Sequence, residues 1–238
     1  MNENEFVFDL IFYVDQTHID INSRFTCCPL VFTLSLFTEK AQRNHLFRRQ
    51  LGYLYDVLLC LSAENAASER GHSTINNHAQ LKVLLDGLSK VQTGEDTHLN
   101  NVLVTINGIC GRVKVVVPIL YFMNDAKEGN MLCCRVASHN KVNCHCRVCD
   151  VQYDDMLDVY VDCSMKESDY IEMLVDAEDH ATLNNLSQYC IPSCFCGFTF
   201  CNPTNRIFGA QPGDMLHMFQ LGPVKNCVQI FLNCFTPT

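Results

Sequence analysis

Apolar positions along this chain fall into blocks whose spacing shifts between two residues and about 3.6 residues. The first block is Phe6, Val7, Phe8, Leu10, Ile11, Phe12, Tyr13 and Val14, which predicts a buried strand over 6–14 that stops on Asp15. In "PLVFTLSLF", residues 29–37, Leu30, Phe32, Leu34 and Leu36 share one face and Val31, Thr33 and Ser35 the other. That alternation predicts a half-buried strand, and the short connection predicts an antiparallel pair. Residues 62–75 are small and polar and read as a loop. From His78 onward Leu81, Leu84, Leu85, Leu88 and Val91 recur at helical spacing, with Gly94 and Asp96 as stop signals. "VLVTINGICGRVKVVVPILYFMND" reads as strand, Asn107-Gly108 turn and strand. Pro118 there marks a bulge or a new strand start, and the apolar run 119–124 ends on Asp125. Residues 167–189 read as helical through Tyr170, Ile171, Leu174, Leu183 and Leu186. Pro212 and Gly213 precede a last helix with Asp214 in its first turn and Leu216, Phe219 and Leu221 opening its stripe. The fold class is therefore α/β.

Composition narrows the class. The chain has 238 residues, 48% hydrophobic and 18% charged, enough to bury a core and unlike a disordered sequence. Seventeen basic against 26 acidic residues give a net charge of −9, which argues against a surface that coats nucleic acid. A carboxylate-rich, cation-dependent nuclease site remains compatible with it. A basic patch of Lys40, Arg43, His45, Arg48 and Arg49 is the best place for a phosphate contact, and otherwise a solvated face. The acidic start "MNENEF" has no basic region or cleavage site of a signal peptide, and no apolar run reaches roughly 18 residues. A chain inside the cell, neither secreted nor membrane-bound, is the expectation.

Two features carry candidate chemistry. Apolar strands deliver Asp15 and Asp125 at their C-terminal ends. If the strands are neighbours the carboxylates lie side by side, and a divalent cation removes their repulsion; otherwise each only starts a turn. The second feature is the cysteine content, 16 in all. Cys146 and Cys149 form a C-x-x-C pair, half of a tetrahedral zinc site, with Cys163, Cys133, His139 or His180 to complete it. The alternative is that these thiols pack as small hydrophobes. Cys190, Cys194, Cys196 and Cys201 alternate with Phe195, Phe198 and Phe200 and read as packing.

Three ordered stretches, "DQTHIDINSRFTCCPLVFTLSLFTEKAQRNHLFRRQLGYLYD", "VPILYFMNDAKEGNMLCCRVASHNKVNCHCRVCD" and "LSQYC…GAQPGDMLHMFQLG", resemble Plavaka-type transposases, relatives of the CACTA group. The resemblance spans most of residues 10–230. It implies a ribonuclease H-like core, a mixed five-stranded sheet flanked by helices, with a DDE triad. Residues 1–132 would form the first part of that core, 133–190 a Cys/His-rich insertion and 191–238 the last part. Asp15, Asp125 and Asp214 then match the three catalytic, Mg²⁺- or Mn²⁺-binding positions, and Cys146-Arg147-Val148-Cys149 matches a C-R-x-C element of the insertion. Asp214 stands where the family usually has glutamate. A side chain one methylene shorter can misplace an ion by an ångström, which can cost about a hundredfold in rate. His18, close behind Asp15, or His217, one turn after Asp214, could orient substrate and is otherwise structural, and Thr17 could accept a bond near the metal.

The implied function is nuclear metal-dependent cleavage and strand transfer at transposon DNA ends, with homo-oligomerisation left open. The rival is an inactive transposon-derived module that binds nucleic acid or protein and holds a structural zinc. A third reading is a plain zinc-stabilised interaction domain.

Overall fold

The computed structural model describes residues 5–18, 26–55, 69–106, 108–136, 143–144, 146–155, 158 and 160–211. It is a mixed α/β structure with two mixed sheets. The strands are β1 (Glu5–Val7), β2 (Leu10–Val14), β3 (Thr17–His18), β4 (Thr26–Leu34), β5 (Arg49–Tyr55), β6 (Val102–Ile106), β7 (Ile109–Val116) and β8 (Ile119–Asn124). The helices are α1 (Glu39–Gln42), α2 (Glu69–Leu84), α3 (Asp86–Thr93), α4 (Ala126–Leu132), α5 (Ser168–Asp176), α6 (His180–Asn185) and α7 (Arg206–Gly209).

In the larger sheet β4 is central. Leu30 pairs with Val14 of β2 on one edge and with Gly52 of β5 on the other, both antiparallel. β3 continues the line of β2 along β4, with Thr17 opposite Cys27 and Asp15-Gln16 between the two paired stretches. β8 lies parallel on the far edge of β2. Beyond β8, Ile119 bridges Phe200 in parallel, its N–H donating to Thr199 O at 2.9 Å and its carbonyl accepting from Cys201 N at 2.9 Å.

The apolar run over 6–14 is not one strand. β1 pairs in parallel with β7 in the smaller sheet, β1-β7-β6, while β2 pairs with β8 in the larger one. Pro118 is the physical reason: it lacks the N–H that a continuous ladder needs at that point. The two chains still run together across the break, Phe8 N–H donating to Val116 O at 2.8 Å and Leu10 N–H to Pro118 O at 2.9 Å. The expected hairpin is present as β6 and β7, turning at Gly108 with φ +82°, a left-handed value that suits glycine.

Three further expectations are corrected. Residues 69–75, read as loop from their polarity, form the first turns of α2. Polar side chains there do not prevent helix because α2 takes its stability from burying Leu81, and next to it Leu85, against the sheet. Thr33 is not on a solvated face: it is buried, its hydroxyl donating to Phe47 O at 2.9 Å, and Leu36 lies past the strand and is exposed. The predicted single helix over 167–189 is divided into α5 and α6, with Glu178 at φ +52° between them.

The core is aromatic at its centre. Phe12 of β2 stacks on Phe122 of β8 at 5.0 Å, and Phe195 meets Phe122 edge-on at 5.1 Å. Phe198 and Phe200 are buried around them, as their alternation with cysteines predicts, while Cys196 and Cys201 face outward.

His78, with no apolar pattern to announce it, ties three elements together. Its Nε2–H donates to Met131 O of α4 at 3.0 Å, and its Nδ1 accepts from Cys194 N at 3.0 Å. Cys134 Sγ sits 3.2 Å from the same Nε2.

Candidate functional site

The C-terminal ends of β2 and β8 come together. Val14 is paired with Asn124 in parallel register, so Asp15 and Asp125 are the next residues on adjacent strands, the condition that the sequence pattern left open. Asp15 is exposed and Asp125 half-buried. Asp125 is also the N-cap of α4: its Oδ1 accepts from Lys127 N at 2.7 Å and Glu128 N at 3.0 Å. Lys127 Nζ reaches back to Gln16 Oε1 at 2.9 Å and ties the start of α4 to the loop after Asp15.

Glu128 is a residue that sequence reasoning passed over. It is 3% exposed, and its carboxyl lies against that of Asp125. Cys28 Sγ of β4 is 3.9 Å from Oε1. Burial first, then the hydrogen bond and charge of the neighbouring Asp125, push the Glu128 carboxyl up to about 8. A folded-state value above the unfolded one means the folded protein holds this proton where the unfolded chain has lost it. Stability from this group is complete below pH 4.5 and drains away as pH rises towards 8. The metal-free protein is expected to lose about 2 kcal/mol between pH 6.5 and 8 through this group, and Glu128→Gln to abolish that slope. Urea unfolding at a series of pH values reads it; equal slopes in the two proteins would refute the assignment.

Arg147, from the C-R-x-C element, is laid against the end of β8. Its Nη1 donates to Asn124 Oδ1 at 3.2 Å and to Asp125 O at 3.3 Å. Asn124 Nδ2 in turn donates to Phe122 O at 2.8 Å and Gln211 Oε1 at 2.9 Å. Gly129 of α4 makes room for the guanidinium: a Cβ there would lie 1.5 Å from Arg147 Nη1 and 2.5 Å from Asn124 Oδ1. Gly129→Ala is therefore expected to eject Arg147 and lower stability by about 2 kcal/mol, despite alanine's better helix propensity. In an Arg147→Ala background the same change should be neutral or stabilising, a coupling that a double-mutant cycle of unfolding free energies measures.

The cysteine site is assembled in part. Cys146 Sγ accepts from Val148 N at 3.4 Å and Cys149 N at 3.3 Å, a loop of N–H groups turned on one sulfur. Burial opposes ionisation, but those N–H groups, the Cys149 thiol and Lys166 hold the Cys146 thiol below its ordinary value. Burial, with the adjacent Cys146 and Cys163 thiols, pushes Cys149 up to about 12. Cys133 is buried and likewise pushed up to about 12 by burial, against the pull of Arg147, Lys166 and Arg135. Arg135 and Lys166 are themselves buried and donate to carbonyl oxygens, Arg135 Nη2 to Cys144 O at 2.7 Å and Lys166 Nζ to Cys146 O at 2.9 Å. Neither is ion-paired to a carboxylate among the described residues. His180 is exposed on α6. Among the described residues no group of three or more His, Cys, Asp and Glu side chains converges as a metal site.

Several expected site residues lie outside the described residues: Asp214, His139 and His217, together with the side chain of His18. Thr17 is described, exposed on β3 opposite Cys27. In the basic patch Arg43 pairs with Glu39, Arg48 lies over the Tyr13 ring at 4.8 Å, and Lys40 and Arg49 are exposed. No described helix is long and apolar enough to cross a membrane. No family model matches the chain, and no curated protein matches it.

Proposed function

We propose that this chain is the catalytic core of a DDE-type DNA transposase resembling the Plavaka group, built on a ribonuclease H-like fold. The observation that carries the reading is the parallel register of β2 and β8, which ends two neighbouring strands on Asp15 and Asp125. The strand order supports it: β5, β4 and β2 are antiparallel neighbours, β8 is parallel to β2, and the helices α2 and α3 come between β5 and β8 in the chain. A mixed sheet accompanied by helices is what the resemblance implies for such a core.

Asp15 and Asp125 would hold Mg²⁺ or Mn²⁺, with Asp214, which lies outside the described residues, as the third ligand that the resemblance implies. Such ions, when bound, polarise the attacking oxygen and stabilise the leaving one. The chain's own groups position the rest. Asp125 stays fixed by capping α4, and Lys127 presents a positive charge next to Gln16 at the rim, where a DNA phosphate would approach. In hydrolysis the water oxygen bonds to phosphorus while the bond to the 3′ oxygen breaks, and the proton passes to that oxygen through solvent. Nicking of supercoiled plasmid with Mn²⁺, and its loss with chelator and in Asp15→Asn, tests the reading; cleavage that survives in Asp15→Asn would end it.

A second reading is an inactive transposon-derived module with a structural zinc. Asp214 in place of glutamate favours loss of catalysis, and the N–H groups directed at Cys146 favour the zinc. About one equivalent of zinc is expected in protein purified without chelator, with Cys146→Ser removing it. Zinc without any Mn²⁺-dependent nicking selects this second reading.

A further inference from the structure

We propose that the cleft between α2 and α6 binds a neutral planar heterocycle of the nucleobase type, held by the side-chain amide of Gln188. The inference is independent of the strand-end reading and assigns the chain a second site. The cleft measures about 310 Å³, at the lower end of the range of small-molecule sites. Gly71, His72 and Ile75 of α2 line one side of it, and His180, Leu183 and Asn184 of α6 the other. Gln188 lies at its floor, 2% exposed. Neither Oε1 nor Nε2 of Gln188 has a hydrogen-bond partner. A buried amide with both ends unpaired is rare in folded proteins, and an apolar side chain of the same size would fill the place without that cost. Exchanging the oxygen and the nitrogen of the amide leaves two unpaired atoms either way.

The class of ligand follows from what borders the cleft. The amide presents one acceptor beside a donor, so its complement carries a donor beside an acceptor on one edge. Adenine has such an edge in its N6 amino group and N7, and glutamine pairs with it through both atoms at once. Among the described residues no Asp, Glu, Lys or Arg borders the cleft, so nothing there compensates a charged ligand. Ile75, Leu183 and Ile191 supply apolar contact for the faces of a ring. Gln188 itself is anchored by its main chain. Its N–H donates to Leu183 O at 2.8 Å, and on either side Val136 N–H donates to Ser187 O at 2.9 Å and Tyr189 N–H to Cys134 O at 2.8 Å. That leaves the side-chain amide to a ligand.

The test uses the full chain and adenosine, followed by isothermal titration and thermal unfolding. Adenosine is expected to bind with a dissociation constant of about 1 mM or tighter and to raise the melting temperature. Gln188→Leu should bind it at least about tenfold more weakly. 7-Deazaadenosine, which lacks the N7 acceptor, should bind the wild type as weakly as adenosine binds Gln188→Leu. Ile75→Trp fills the cleft from an exposed position on α2, should also abolish binding, and decides the matter where the leucine variant does not fold. A single-stranded oligodeoxyadenylate that displaces adenosine supports the site and identifies the source as a base in nucleic acid. Adenosine binding that the strand does not displace supports it with a free nucleoside as the source. Wild-type affinity in Gln188→Leu or in Ile75→Trp overturns the inference, as does a wild type that binds no adenosine at about ten times that concentration. None of these outcomes bears on DNA nicking at the strand end.

Discussion

Asp125→Asn is expected to abolish the proposed Mn²⁺-dependent DNA nicking and to leave the fold nearly unchanged. The size of the loss follows from charge. A unit pair about 4 Å apart near a protein surface is worth about 4 kcal/mol, and a ligand touching a divalent ion more, so the rate should fall roughly a thousandfold or further. Stability should stay within about 1 kcal/mol, because Asn caps a helix as well as Asp and can still accept from Lys127 N and Glu128 N. The lost interaction with the helix dipole is small, and the lost repulsion of Glu128 offsets it. The asymmetry is the point of the experiment. A residue that only capped α4 would show no change in either readout, whereas Asp125→Ala should lose the nicking and about 1 kcal/mol of stability together. Plasmid nicking and urea unfolding on the same preparations separate the two roles.

The largest loss of stability is expected at His78. His78→Leu keeps the side chain apolar and of similar size but leaves Met131 O and the Cys194 N–H without partners inside the core. At roughly 1–3 kcal/mol for each buried unsatisfied group, the change should cost about 3 kcal/mol and lower the melting temperature by about 10 °C. Burial lowers the affinity of His78 for a proton, although the bond to Met131 O resists this. A folded-state value below the ordinary 6.5 means its stabilisation is complete above that pH and is lost as pH falls below it. Acid lability beginning near pH 6.5 in the wild type, and reduced in His78→Leu, would identify this ring as its source by thermal melts at several pH values. A variant as stable as the wild type would show that water replaces the ring without loss.

Strand periodicity located most of the sheet because side-chain alternation is a local property of the backbone. The antiparallel pairing of β2 and β4, the β6–β7 hairpin and the strand ending on Asp125 all follow from spacing and turn residues a few positions away. The division of 6–14 between two sheets does not. It is imposed by Pro118, more than a hundred positions along the chain, opposite the break in the parallel ladder. Helix α2 begins well before its apolar stripe because burial of Leu81 and Leu85 holds the whole helix, polar turns included.

The amino-acid order by itself determined that Asp15 and Asp125 each end an apolar strand, and that Cys146 and Cys149 close a loop of metal-binding size. Only the tertiary structure decided that the two strands are parallel neighbours in register, that Arg147 of the cysteine loop is laid against Asn124 and Asp125 across Gly129, and that Glu128 is buried beside Asp125. Strand identity comes from residues two apart. Neighbourhood and burial come from which surfaces meet, and a carboxylate in the first turn of a short helix looks the same in sequence whether it ends in solvent or against the core.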